Sequence, residues 1–293
     1  MENVLAAVRN PVQLYDWYMS VDPLVSGAAL MFLIAIYSTL MGPITGNYSQ
    51  VDKMWSITPF VYMWNFAYRS GWNQRLVVMA CLSTVWGLRL TFNFWRRGGY
   101  SGDEDYRWPV LRKMLHPLLF QLLNLLFIGT YQHLLLYLIV LPASVAYNAS
   151  LSWNHLDTVA ASLFTFFVLF ETIADQQQYT FQTEKYRLKN AGKTLTGDYA
   201  LGFRTSGLFR YTRHPNFFAE QSVWVSFYVF SIASGAAPIN WSIIGAVLLI
   251  LLFQGSTIFT ESITAKKYPA YREYQKTTST FVPFFPGPQL KKD

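Results

Sequence analysis

The chain alternates long apolar runs with short polar loops. Seven runs have about the length and apolarity needed to cross a hydrocarbon layer: roughly 24–41, 53–70, 76–94, 129–148, 156–178, 216–235 and 240–261. Residues 117–128 are also apolar, and either lengthen the fourth run or lie as a separate short surface helix. The stretch 118–147 is too long for one untilted crossing. In lipid, backbone polar groups must be satisfied within each segment, so such runs are helices. The pattern predicts an all-α, polytopic membrane protein: about seven transmembrane helices in one membrane-embedded domain over 1–293. The tail after Phe281, with Pro283, Pro286 and Pro288, reads as irregular.

The basic residues orient these helices. Arg9, Arg69 and Arg75 fall on one side, and Lys53 and the basic residues of 96–113, 185–213 and 266–292 on the other, 3 against 19, with Arg89 inside the membrane. Cytoplasmic loops carry the excess of Lys and Arg, so the N-terminus is expected outside and the C-terminus in the cytoplasm. The membrane is the endoplasmic reticulum in a eukaryote and the inner membrane in a bacterium. Composition agrees: 52% of the 293 residues are hydrophobic and 13% charged, about half the charge of a soluble domain. The +7 net charge sits in the loops and is no argument for nucleic acid. A single cysteine, Cys81, excludes an internal disulfide and a Cys-based zinc site. Residues Met1–Pro23 lack a cleavable signal pattern.

Four apolar runs carry polar stripes at helical spacing. They are Trp86, Arg89, Asn93, Arg96 and Arg97; Glu171, Asp175, Gln178 and Gln182; Asn216 and Glu220; and Gln254, Thr257 and Glu261. Each lies in the half of its run that the topology puts near the cytoplasm. Charges at that depth need partners, water or a ligand. The stripes therefore predict a polar cavity facing the cytoplasm, or a set of buried ion pairs that fix helix register. The glycine-rich loop Arg96–Trp108 lets backbone N–H groups approach an anion, and Lys185, Arg187, Lys189, Lys193, Arg204, Arg210 and Arg213 form a basic collar, together suited to a polyanionic ligand.

The most informative stretch is 207–224, where a basic segment runs into an apolar helix at His214-Pro215-Asn216. Pro215 suits the first turn of a helix, where its missing N–H costs nothing. Arg210, Arg213 and His214 then stand at the positive end of the helix dipole, an anion site in prospect. Glu220 lies one turn further along the same face as Asn216. G-x-G-x-x-G, P-loop, H-E-x-x-H and G-x-S-x-G motifs are absent, so no Rossmann domain is expected.

Gly207–Glu220, with Lys266, Tyr268-Pro269, Tyr271, Tyr274 and Phe281-Val282-Pro283, resembles the C-terminal signature of the steroid 5α-reductase and sterol reductase superfamily. Val51–Ser56, Trp86–Arg89, Gly102–Trp108 and Glu171–Gln177 resemble more narrowly its DUF1295 branch. The likeness spans about 45–285. It implies NADPH held in the cytoplasm-facing half of a seven-helix bundle, lined by Arg89, Arg96, Arg97, Asp175, Gln178, Tyr211, Arg213, His214, Asn216, Glu220, Tyr271 and Arg272. The implied reaction is hydride transfer to a carbon–carbon double bond conjugated to a carbonyl, on a steroid-like or other lipid substrate entering from the bilayer. Donors must polarise that carbonyl as the enolate forms. Asp52 falls at the family's Glu-like position and Trp86 at its Tyr-like one; Trp donates one hydrogen bond but cannot transfer a proton. Tyr48 is a further catalytic candidate, with Tyr100 and Tyr106 as other proton donors. The Arg-His-Pro-Asn element alone is shared with membrane methyltransferases that use S-adenosylmethionine, such as isoprenylcysteine carboxyl methyltransferases. Such a methyltransferase is the alternative enzyme, and a non-enzymatic lipid-binding membrane protein the alternative outside enzymology.

Overall fold

The computed structural model of the protein describes residues 10–286. Arg9, Pro288, Lys291 and Lys292, which enter the readings above, lie outside the described residues. Among the described residues the regular structure is entirely helical. In order, the helices are α1 Pro11–Ser20, α2 Pro23–Thr45, α3 Gln50–Met54, α4 Thr58–Arg69, α5 Gln74–Arg96, α6 Arg107–Met114 and α7 Pro117–Leu123. A π-helical stretch Asn124–Tyr131 leads to α8 Gln132–Leu138 and α9 Pro142–Tyr147. Then come α10 His155–Asn190, α11 Asp198–Leu201, α12 Pro215–Ala233, α13 Ile244–Lys267 and α14 Tyr271–Thr277. Short 3₁₀ turns, Gly207–Arg210 and Trp241–Ile243, precede α12 and α13.

Among the described residues, five segments are long and apolar enough to cross a membrane: Pro23–Thr45, Gln74–Arg96, Pro117–Tyr147, His155–Asn190 and Trp241–Lys267. Two of the seven expected spans are helical but fall outside this set. Within 53–70 the helix is broken, and α4 has 12 residues, about 18 Å against a hydrocarbon thickness of about 30 Å. Helix α12 has 19 residues, but Glu220, Gln221 and several serines dilute its apolarity. Residues 117–128 lengthen the fourth span, in which α7, the π-helical stretch, α8 and α9 follow one another over 31 residues. Helix α10 runs 36 residues, so the Glu171–Gln182 stripe continues without a break into the basic segment after it.

Helix starts follow capping chemistry. Asp22 accepts from Leu24 N ahead of Pro23, Asn73 from Arg75 N and Leu76 N, and His116 from Leu118 N ahead of Pro117. Side chains on α2 such as Phe32, Leu33 and Ile44 are exposed, as suits a helix whose solvent is lipid.

The described residues pack as two units, 10–161 with Phe227–Ala246, and Ser162–Ser226 with 247–286. In the first, α4 and α5 meet closely at Gly87, where a Cβ would run into Ser56 O and the Phe60 ring. Arg75, expected in an outer loop, is instead buried in the first turn of α5. Its Nε donates to Asp157 Oδ1 (2.6 Å) and its Nη2 to Asp157 Oδ2 (2.8 Å), while the Leu151 and Ser152 carbonyls take further N–H groups. In the second unit Tyr271 and Tyr274 of α14 pack with Phe203 in a small aromatic core flanked by Tyr268. Lys185, counted among the collar, is buried there. Its Nζ donates to Gly202 O (3.0 Å) and stands over the Phe181 and Tyr268 rings, so it acts as internal packing.

Candidate functional site

The second unit holds most of the residues singled out in sequence. Gly207 adopts φ +67° and its Cα faces the Gln177 side chain closely enough that a Cβ would collide with it. The turn is pinned there because Leu208 N donates to Gln177 Oε1 (2.9 Å) and Arg204 Nη1 to Gln177 O (2.8 Å). The chain then runs past Phe209–His214 to Pro215, the first residue of α12. The C-terminal segment lies along this stretch: Arg213 N donates to Ser279 O (2.8 Å), His214 N to Thr280 O (3.1 Å) and Phe284 N to Tyr211 O (3.0 Å).

At the start of α12 Arg213 and His214 hold an anion, and that anion is the protein's own Glu261 carboxylate from α13. Arg213 Nε donates to Glu261 Oε1 (2.6 Å) and Nη2 to Oε2 (3.1 Å). His214 Nε2 (2.9 Å) and the Tyr271 hydroxyl (3.0 Å) donate to Oε1, and Gln275 Nε2 (2.7 Å) to Oε2. A carboxylate only accepts, so His214 carries its proton on Nε2. Arg213 spends its remaining N–H groups on the Gln275 and Thr278 carbonyls and on Thr280 Oγ1. All five guanidinium donors are thus used inside the protein. Burial, followed by the neighbouring Glu261 charge and its hydrogen bond, pushes the Tyr271 phenol well above the usual tyrosine range.

Arg210, Tyr211 and Arg272 are exposed. Asp175 of α10 and Asn216 of α12 are brought together, Asn216 Nδ2 facing Asp175 Oδ1 at 3.4 Å. Glu220 is buried and accepts from Trp224 Nε1 (3.1 Å) one turn on. Glu171 is buried on α10 and Gln178 half-buried two turns further along.

The first unit holds the three catalytic candidates. The loop 98–106 and α6 cover the segment 47–53: Asn47 Nδ2 donates to Gly102 O (2.8 Å), Tyr48 N to Glu104 Oε1 (2.9 Å), Asp105 N to Ser49 Oγ (2.8 Å) and the Tyr100 hydroxyl to Lys53 O (3.0 Å). Asp52 accepts from Trp108 Nε1 (3.0 Å) and has the Arg107 guanidinium 3.7 Å away. Burial pushes its carboxyl upward, against the pull of Arg107. Tyr48 is buried, and its hydroxyl accepts from Gln121 Nε2 (2.7 Å). Trp86 is fully buried on α5, one residue before the Gly87 crossing. On the same helix Arg96 donates twice to Asn93 Oδ1 (3.0 and 2.8 Å), and Arg97 is exposed, bonded through Nε to Asn93 O (3.2 Å). Arg89 is half-buried between Trp86 and Asn93.

Sequence reasoning placed Glu261 in a polar stripe without seeing that it ties Arg213, His214 and Tyr271 together. Gln121 carried no signal, lying in an apolar run of undecided role. Gln275 and Thr280 come from the tail helix and the segment after it, where spacing says nothing about partners 60 residues upstream.

A family model described as a protein of unknown function, DUF1295, matches residues 39–278. An uncharacterized protein of Schizosaccharomyces pombe, C594.04c, is 36% identical over 301 residues, covering 98% of this chain and 87% of that protein. No solved structure matches.

Proposed function

Since the chain belongs to the DUF1295 family, we propose that it is a multi-pass membrane oxidoreductase that reduces a conjugated carbon–carbon double bond of an apolar substrate. On this reading it crosses the membrane seven times with its C-terminus in the cytoplasm, and the substrate enters from the bilayer. The cofactor is NADPH, which supplies the hydride. The observation that carries the reading is the construction of the 207–216 segment. Glu261 neutralises Arg213 and fixes His214, so the rigid turn presents Arg210 and Tyr211 outward. Exposed guanidinium and phenol groups on a rigid backbone suit a phosphate-bearing nucleotide. Arg272, Arg96 and Arg97 are of the same chemical type. Asp175 and Asn216 suit the cofactor's hydroxyl and amide groups, because a carboxylate accepts and an amide both donates and accepts. Arg213, His214 and Tyr271 build the frame behind Arg210 and Tyr211, and Arg89, Gln178 and Glu220 belong to the polar stripes.

Hydride arriving at the β-carbon pushes the double-bond electrons onto the carbonyl oxygen, where charge develops and a donor is needed. Tyr48 and Asp52 offer a proton, and Trp86 offers a hydrogen bond.

The test is mass spectrometry of small molecules copurifying with the protein in mild detergent, with titration of NADPH and of S-adenosylmethionine. NADP(H) in the wild-type protein, depleted in Arg210→Ala and Asp175→Ala, is the expected result. S-adenosylmethionine or its demethylated product would establish a methyltransferase instead, and binding of neither would remove the enzyme reading.

A further inference from the structure

Tyr48 lies between α2 and α7. Its ring meets Phe120 edge-on at 4.8 Å, and it fits against α2 because Gly42 has no side chain: a Cβ there would come within 2.9 Å of the ring. The Arg112 guanidinium stands 5.1 Å from the ring centre, and Glu104, which is paired with Arg112, takes the Tyr48 backbone N–H. With ring and backbone held, the hydroxyl is the one part of Tyr48 left to orient, and Gln121 does this. Its Nε2 can only donate, so Tyr48 Oη accepts on that side and keeps its own proton for another partner. Gln121 is itself set at the end of α7, where Asn124 opens the π-helical stretch and donates to Thr39 O (3.0 Å). Such π segments recur at functional sites.

Asp52 is engaged differently. One of its carboxyl oxygens already accepts from Trp108 Nε1, and the other has the Arg107 guanidinium 3.7 Å away.

We infer that Gln121 is a positioning residue that directs the Tyr48 proton toward the substrate carbonyl. This rests on the hydride-transfer reading above. As the hydride bonds to the β-carbon, the double-bond electron pair shifts and the carbonyl oxygen takes the Tyr48 proton, leaving an enol and a tyrosinate. Water returns one proton to Tyr48. The enol becomes the saturated ketone as its O–H proton is lost to water and another is gained at the α-carbon. The sum is one hydride and one proton added to the substrate.

The test uses the full chain in lipid nanodiscs with 4-cholesten-3-one, an apolar conjugated enone, as the probe. Two signals are followed from pH 4 to 9: NADPH consumption, and the red shift of the enone absorption when a donor polarises its carbonyl. Tyr48→Phe is expected to lower turnover about 100-fold and abolish the red shift, with NADPH affinity unchanged. Gln121→Leu is expected to lower kcat about tenfold with KM nearly constant. Gln121→Glu is the decisive variant. Its ionised carboxylate accepts the Tyr48 proton and silences the site at high pH. Protonated, it donates as the amide does, so activity and red shift return as pH falls toward the ordinary glutamate value of about 4.3. Glu104 and Arg112, the charged groups facing Tyr48, are common to wild type and variant, so the wild-type profile controls for them. A Gln121→Glu profile parallel to wild type, or full turnover in Tyr48→Phe, overturns the inference. A red shift that follows Tyr48 and Gln121 in a protein that never consumes NADPH sinks the hydride-transfer reading and leaves the positioning role standing; absence of both signals in wild type overturns both.

Discussion

Arg213 at the start of α12 and Glu261 on α13 are joined by two hydrogen bonds, 2.6 and 3.1 Å, with both side chains buried. The remaining donors of Arg213 go to the C-terminal segment. The pair therefore holds the 207–216 turn to the tail as well as to α13. Arg213→Ala strands a buried carboxylate and is expected to cost about 3–5 kcal/mol. Arg213→Lys keeps the charge but has three donors for five acceptors, and should fall between wild type and Arg213→Ala. Arg210→Ala, on an exposed side chain, should leave the melting temperature unchanged while weakening NADPH binding about tenfold. Thermal denaturation in detergent with nucleotide titration separates the two classes. Equal loss of stability in Arg210→Ala would contradict the division of labour.

Arg75 and Asp157 form a second buried pair, in the first unit. Asp157→Asn is expected to cost about 3–5 kcal/mol, because it leaves a buried guanidinium without its counter-charge. Replacing both by apolar residues of similar size should recover much of that loss. A double-mutant cycle should show a coupling energy above about 1 kcal/mol, and additive single effects would count against a paired role.

Tyr271 donates to Glu261, and burial with that neighbouring charge raises its phenol above the ordinary range. Above roughly pH 10 the unfolded chain releases this proton while the folded protein keeps it. Stability from this group is therefore complete below roughly pH 10 and falls as pH rises beyond it. Tyr271→Phe removes the contribution. Alkaline denaturation should be shallower in that variant than in wild type, and identical alkaline slopes would rule the linkage out.

Gly87 lets α5 approach the segment before α4 to backbone contact. Gly87→Ala forces that contact apart and should cost about 1–3 kcal/mol. The melting temperature reports the strain. Gly255→Ala on α13, where a Cβ meets nothing within 4 Å, is the control and should be neutral or slightly stabilising through helix propensity.

Much of the candidate site's local arrangement was legible along the chain because its residues sit at fixed helical offsets. The start of α12 at Pro215, the Asn216–Glu220 face and the α10 stripe through Glu171 and Asp175 all follow from local spacing. The ends of the expected spans were harder. Pro59 starts α4 late and splits the expected run 53–70, and a π-helical insertion joins 117–128 to the fourth span. Neither break changes average apolarity, so neither shows in a hydrophobic pattern.

The sequence by itself determined that this is a helical protein with membrane-spanning segments, and marked which faces carry charge. Those properties depend on residue type and on separations of three to seven positions, which the helix converts directly into geometry. Only the tertiary structure decided what each charge is for. Arg75, Lys185 and Arg213 look alike in sequence, as basic residues near helix ends. Folding buries all three against Asp157, Gly202 O and Glu261, which are 82, 17 and 48 residues away. It leaves Arg97, Arg210 and Arg272 exposed. Because burying an unpaired charge is costly, the partner supplied by packing, and not the residue type, settles whether a basic residue is buried in the frame or stays at the surface.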